Sequence, residues 1–259
     1  MIKNKLKERW AEGHATINGW LSIASTFSAE IMAAQGYDSL TVDLQHGGLD
    51  YGDALPMFQA MRASGVVPLA RVPWNEPGII MKMLDAGAYG IICPMVNTRA
   101  EAEALVSAMR YPPKGTRSFG PTRVSFAAGA DYASGANDEL LAFAMIETGE
   151  AFENVEEIAA TPGLDALYIG PADLTLGVTN GRLPPGFDRQ EEEMVEAIKR
   201  ILAAAKSAGI RAVLHCGSAQ YAANAVGWGF DMVTVSNDTR LLATSAAASV
   251  SEWRSLVAT

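Results

Sequence analysis

Cysteine is almost absent from this chain. The only two, Cys93 and Cys216, form no CxxC and no zinc-type spacing, so neither a disulfide framework nor a zinc fold is expected. Positive charge is scarce as well. Lys and Arg number 20 against 29 Asp and Glu, for a net charge of −9. The one basic run is Lys3, Lys5, Lys7 and Arg9, which reads as a solvated N-terminal helix. A nucleic-acid binder would need a basic face. No apolar stretch approaches the roughly 18 residues of a membrane span. The opening MIKNKLKERW lacks the apolar core of a secretory signal. These absences leave a cytoplasmic enzyme or binding protein that touches neither nucleic acid nor membrane.

What is present is a globular composition. Of 259 residues, 49% are hydrophobic and 19% charged, enough to fill the core of one large domain. Eight short apolar runs rich in β-formers stand at 19–23, 39–43, 67–71, 89–94, 142–147, 166–170, 212–215 and 232–236. Continuous runs of this kind suit strands buried on both faces. Segments of helical period lie between them at 28–35, 51–63, 77–85, 98–109, 152–160 and 190–208, most of them ended by Gly or Pro. A small residue, a glycine and a strand recur as AQGYDSL, ASGVVPL, DAGAYGI and SAGIRAV. This pattern predicts a single (β/α)8 TIM barrel spanning residues 1–259. An open doubly wound sheet is the alternative, but no GxGxxG follows the first strand. The connections 112–138 and 177–189 are too long for turns and read as functional or assembly loops.

A TIM barrel places its chemistry at the C-terminal ends of its strands. Those ends carry Asp43 with Gln45 and His46, then Arg71, Glu147, Asp173 and His215. Glu147 and Asp173 follow consecutive strands. Two carboxylates with open positions suit Mg²⁺ or Mn²⁺. They could equally be structural, with Asp173 capping a helix from Leu174 and Glu147 paired to Arg71. His46, in the turn QHGG, suits general-base work or a loop-stabilising role. Arg71 needs an anion, which could be Glu147 or a substrate carboxylate or enolate. His215 is a secondary candidate, and His14 reads as structural. None of the seven lysines ends a strand. A Schiff-base aldolase needs one there, so a metal must polarise the carbonyl in any such chemistry.

The segments VDLQHGGLDY, LARVPWNEP, KMLDAGAYGIICPMV, YPPKGTRSFG, MIET and YIGPADLTLG stand in this order between about residues 19 and 242. Together they resemble the HpcH/HpaI aldolase family, best known for 4-hydroxy-2-oxoheptanedioate aldolase. The resemblance implies a class II aldolase that uses Mg²⁺, Mn²⁺ or Co²⁺ on a 2-oxo acid, typically pyruvate, and an aldehyde. It implies a homo-oligomer, trimer or hexamer, with C-terminal helices exchanged between subunits. The Ala-rich tail at 241–257 could pack in this way. By the same resemblance, Glu147 and Asp173 look like the metal ligands and His46 like the base, acting through a bound water. Arg71 looks like the group that steadies the enolate oxygen. Gly170, Pro171, Ala172 and Asp173 look like the clamp on the pyruvate carboxylate. Asp85 corresponds to the acid that raises the histidine's basicity.

Two positions depart from this pattern. Met145 stands where the family has a glutamine contacting substrate, which predicts a more apolar pocket. Asp85 closes a helix ahead of a strand, so barrel geometry puts it far from His46. Either a neighbouring subunit delivers Asp85, or Asp43 is the partner. The acceptor aldehyde is not legible. Arg117, Arg123 and Tyr132 in the 112–138 connection are possible contacts for a carboxylate or hydroxyls, or else for a neighbouring subunit. The alternatives are another enolate-forming lyase of acyl-CoA or decarboxylase type, and a non-catalytic oxo-acid binder. Because no lysine ends a strand, borohydride added with pyruvate should leave the protein unmodified by mass spectrometry. A reductively trapped pyruvyl-lysine would contradict the metal-dependent reading.

Overall fold

The computed structural model describes residues 1–258. Eight parallel strands close a barrel in sequence order. They are β1 (Thr16–Leu21), β2 (Ser39–Asp43), β3 (Val67–Arg71), β4 (Gly90–Cys93), β5 (Leu141–Ile146), β6 (Ala166–Ile169), β7 (Arg211–Cys216) and β8 (Met232–Asn237). The expected barrel is therefore present, and seven strands fall within two residues of their expected places. The first starts three residues early. Its leading residues include the polar Thr16 and Asn18, which broke the apolar pattern although both are buried.

Asn18 brings a polar layer into the barrel interior. Its amide lies among the hydroxyls of Ser39, Thr41 and Thr234, all buried. These groups satisfy one another's hydrogen bonds, which makes a polar layer tolerable inside the barrel.

Helix α1 (Lys5–Ala11) precedes the barrel. It is not wholly solvated, because Leu6 and Trp10 are buried and the Trp10 ring meets Phe143 of β5 edge-on. The strands are joined by α2 (Thr26–Ala33), α3 (Tyr51–Met61), α4 (Pro77–Ala86) and α5 (Arg99–Met109). Local chemistry sets their ends. Thr98 and Glu101 form a capping box at the start of α5, and Gly87, at φ 115°, ends α4.

The 112–138 connection is not an open loop. It holds α6 (Thr122–Ala128) and most of α7 (Tyr132–Glu139). The segment expected as one helix at 152–160 is two short ones, α8 (Gly149–Glu153) and α9 (Val155–Ala159), divided at Asn154. α10 (Pro171–Thr179) takes up the start of the second long connection, and α11 (Glu192–Ser207) follows it. α12 (Ala219–Trp228), unexpected from the sequence, joins β7 to β8.

α13 (Asp238–Val257) behaves unlike the other barrel helices. Asp238 is its only buried residue, and it accepts from the amides of Ser22 and Ile23. Leu242, Val250 and Trp253 are all exposed. From Thr239 onward every described residue of the helix is exposed, so it packs no side chain against the outside of the barrel as the other helices do. Ile17 of β1 and Ile31 of α2 are exposed as well. Among the described residues no helix is long and apolar enough to cross a membrane.

Candidate active site

The strand ends gather around a cavity of about 450 Å³ at the C-terminal mouth of the barrel. Its walls include His46, Arg71, Glu147, Gly170, Ala172 and Asp173. Most of the residues singled out from sequence therefore meet in one place. Pro171 is buried as the first residue of α10 and does not line the cavity.

Asp43 and Arg71 are register partners at the last positions of β2 and β3. That register lets the guanidinium meet the carboxylate with two hydrogen bonds, Nε to Oδ1 at 2.8 Å and Nη2 to Oδ2 at 2.7 Å. Arg71 therefore takes Asp43, not Glu147, as its protein partner. Burial would push the Asp43 carboxyl up. The hydrogen bonds and charge of Arg71, with smaller help from Trp20 and the His46 amide, outweigh it and hold the acid below its usual range. The Arg71 guanidinium also lies 4.9 Å from the centre of the Trp20 ring.

The same carboxylate shapes the turn that carries His46. Asp43 Oδ1 accepts from the backbone amides of Gln45 at 3.1 Å and His46 at 3.3 Å. The amide of Gly47 returns to the Asp43 carbonyl, and that of Gly48 reaches the carbonyl of Ser22. A Cβ on Gly47 would collide with the Asp43 carbonyl, so only glycine closes this turn. His46 emerges exposed beside the cavity, and its ring has no hydrogen-bond partner among the described residues.

Glu147 is only 3% exposed. Its Oε1 accepts from the Met95 amide at 2.8 Å. Met95 just follows β4, and its φ of 55° is unusual for a residue with a side chain. Glu147 Oε2 lies over Gly170, where an added Cβ would stand 2.6 Å from it. Burial raises the Glu147 carboxyl from the ordinary 4.5 to about 7. The Met95 amide opposes this rise, nearby Asp173 adds to it, and Arg71 offsets it in part. Asp173 does not cap a helix from Leu174. The helix begins at Pro171, and Asp173 sits in its first turn, close to the partial positive charge of the helix start.

Two carboxylates thus share a pocket whose one lining guanidinium is already bound to a third. Among the described residues no three His, Cys, Asp or Glu converge as a complete metal site. Glu147 and Asp173 nevertheless fit a hard divalent ion that takes its remaining oxygens from water and substrate.

Asp85 is not brought to this cavity within the chain. It lies on the last turn of α4, ahead of β4, and pairs at 2.6 Å with the buried Arg117. Arg117 in turn donates to the Tyr132 hydroxyl at 2.9 Å. Arg123 donates to the Ala86 carbonyl. All three candidate contacts of the 112–138 connection are therefore engaged away from this cavity.

Several wall residues were not singled out from sequence. Trp20, Ser22, Asn237 and Thr239 are among them, as is Phe187 from the connection after α10. Only the length of that connection hinted at a role. Met145 does line the cavity, as strand alternation predicts.

The fold and the acid-rich mouth give a TIM barrel with a candidate active site, and comparison with known proteins specifies its chemistry. The chain belongs to the HpcH/HpaI aldolase/citrate lyase family, which it matches over residues 17–244. A hydroxypyruvate/pyruvate aldolase of Rhizorhabdus wittichii is 42% identical, covering 98% of this chain and 100% of that one. A 5-keto-4-deoxy-D-glucarate aldolase of Shigella dysenteriae is 33% identical over 92% of each chain. The crystal structure of a family member from Burkholderia cenocepacia superposes with a TM-score of 0.88 at 31% identity, covering 97% of this chain and 100% of that one. The chain is an enzyme of the carbon–carbon lyase class.

The raised Glu147 carboxyl gives a testable pH dependence. With no metal, the folded state holds this proton more tightly than the unfolded one. The resulting stability is fully present below about 4.5 and is lost as pH rises through about 7. A divalent ion favours the ionised acid, so the rise in melting temperature on adding Mg²⁺ should be larger at pH 7.5 than at pH 5.5. Glu147→Gln should abolish that rise. An equal rise in the variant would place the ion elsewhere.

Proposed function

We propose that the protein is a divalent-metal-dependent aldolase that cleaves or forms 4-hydroxy-2-oxo acids from pyruvate, or a related 2-oxo acid, and an aldehyde. The observation that carries this reading is the buried Glu147 beside Asp173, neither paired to a Lys or Arg among the described residues, next to a guanidinium fixed by Asp43. Mg²⁺ or Mn²⁺, with Co²⁺ as a third candidate, would be held by Glu147 and Asp173. When bound, the ion supplies Lewis-acid stabilisation of negative charge on the substrate's keto oxygen.

The chain's own groups account for the rest of the chemistry. The first-turn amides of Ala172 and Asp173 have no partner within α10 and can receive the substrate carboxylate. Pro171 has no N–H to give, and its ring sets the helix direction. Gly170 leaves room for the Glu147 carboxylate. Arg71 spends Nε and Nη2 on Asp43, and Nη1 remains for the oxygen that gains charge as the enolate forms. His46, exposed beside the cavity, takes the proton from C3 of the oxo acid, directly or through a water. The C3 carbanion equivalent then adds to the aldehyde carbon, whose oxygen takes up a proton. In reverse, the C3–C4 bond of a 4-hydroxy-2-oxo acid breaks. Within one chain Asp85 takes no part in these steps. Its assignment to His46 requires a neighbouring subunit.

Proton NMR in D₂O tests this reading. Pyruvate methyl protons should exchange in the presence of enzyme and Mg²⁺, and EDTA should stop the exchange. His46→Ala should slow it by about 100-fold or more. No exchange with metal present would leave a binding protein rather than an enolate-forming enzyme.

The exposed apolar residues of α13, together with the exposed Ile17 of β1 and Ile31 of α2, support a homo-oligomer in which a second copy's α13 covers them. A trimer or hexamer of 27.4 kDa chains is the expected state. Light scattering should give three or six times that mass, and a monomer would contradict it.

A further inference from the structure

His215 ends β7 at the cavity wall, and its surroundings constrain it on three sides. One face stacks on Phe187, with ring centres 5.0 Å apart and planes inclined at 23°. Trp20 meets it edge-on, also at 5.0 Å. Its Nδ1 lies 3.0 Å from the Tyr168 hydroxyl. That hydroxyl lies 2.8 Å from Thr234 Oγ1, which in turn lies 2.9 Å from the Asn18 amide. The ring is thus anchored through a buried polar chain that ends in the barrel interior.

Burial drives the imidazole towards its neutral form, down to about 3, and Arg71 pushes the same way against the weaker pull of Asp43. A neutral imidazole has one ring nitrogen that donates and one that accepts. With Nδ1 committed to Tyr168, Nε2 is left at the cavity and has no protein partner among the described residues. Both reagents of the proposed reaction are 2-oxo acids and aldehydes, many of which carry a hydroxyl on the carbon beside the carbonyl. A hydroxyl both donates and accepts, so it satisfies Nε2 in either tautomer. A methyl group satisfies it in neither.

We infer that His215 is a specificity-determining residue, whose Nε2 hydrogen-bonds a hydroxyl adjacent to the carbonyl of a bound substrate. The inference rests on the aldolase reading and sharpens its substrate class towards hydroxylated oxo acids or aldehydes. Of the residues beside it, Met145 and Phe187 offer such a hydroxyl no polar group, and the indole N–H of Trp20 already donates to Asp43. His215 is therefore the hydrogen-bonding group that this part of the wall presents. A site built to bond a hydroxyl rejects the analogue lacking it more strongly than an apolar pocket rejects an added one.

His215→Phe keeps a ring for Phe187 and Trp20 while removing both nitrogens, and His215→Gln restores a hydrogen-bonding group. Each variant and the wild type, loaded with Mg²⁺, would be assayed in two arms. One compares glycolaldehyde with acetaldehyde as acceptor for pyruvate. The other compares hydroxypyruvate with pyruvate as donor to acetaldehyde. In at least one arm, the kcat/KM ratio favouring the hydroxylated reagent should fall about ten-fold in His215→Phe and recover in part in His215→Gln. The arm that moves identifies which substrate carries the hydroxyl. Unchanged ratios in both arms, or equal losses on hydroxylated and plain reagents, would overturn the inference. Pyruvate methyl exchange, measured on the same samples, separates the two levels of the argument. Exchange retained in wild type and variants with unmoved ratios overturns the role of His215 alone. Exchange absent from the wild type overturns the aldolase reading and this inference together.

Discussion

The site depends on one unfavourable placement, a carboxylate taken out of water beside a second carboxylate. Glu147 follows β5 directly, and its burial leaves it protonated far above the usual carboxylate range. Among the described residues no cation pairs with it, and Arg71 offsets the rise only in part. The Met95 amide gives it one hydrogen bond, at the cost of a left-handed backbone at a residue with a side chain. Gly170 gives it space because no Cβ intrudes. Such an arrangement holds a buried acid in a fixed direction while withholding a counter-ion. A protein that needed only stability would have paired this acid or replaced it.

The counter-ion that could have come from the chain is committed elsewhere. Arg71 is bound by two hydrogen bonds to Asp43, and one of the same oxygens, Oδ1, holds the amides of the turn that carries His46. One buried acid therefore orients both the cation and the candidate base. Removing Asp43 would release Arg71 towards Glu147 and loosen the His46 turn together. In the proposed function, the acids just after β5 and in the first turn of α10 take the cation, while the acid on β2 is already satisfied by Arg71. On that reading the metal half of the site is separate from the proton-transfer half.

Much of this was legible in the sequence, for identifiable reasons. Parallel strands buried on both faces are written as unbroken apolar runs, so their places were readable. β1 was the exception, because Thr16 and Asn18 are polar yet buried, Thr16 against Trp10 and Asn18 in the polar layer of the barrel. The strand-end residues were readable because charge stands out at the close of an apolar run. Their pairing was not, since the register that sets Asp43 against Arg71 is a property of neighbouring strands. α7 (YASGANDE) and α12 (AQYAANAVGW) escaped notice because Gly, Asn and runs of Ala blur the helical period. The stacking of Phe187 on His215 joins residues 28 apart through a loop that no periodicity describes. The family motifs suggested the roles proposed for Glu147, Asp173 and His46, while Phe187 and His215 lie outside those motif segments.

The central claim is that Glu147 and Asp173 hold the ion on which the chemistry turns. Crystals grown with Mn²⁺ and pyruvate, measured at the manganese absorption edge, test it directly. The account predicts one anomalous peak per chain, within bonding distance of both carboxylates and of the pyruvate oxygens. A peak bound by other residues, or pyruvate ordered in the cavity with no ion between these two acids, would contradict it.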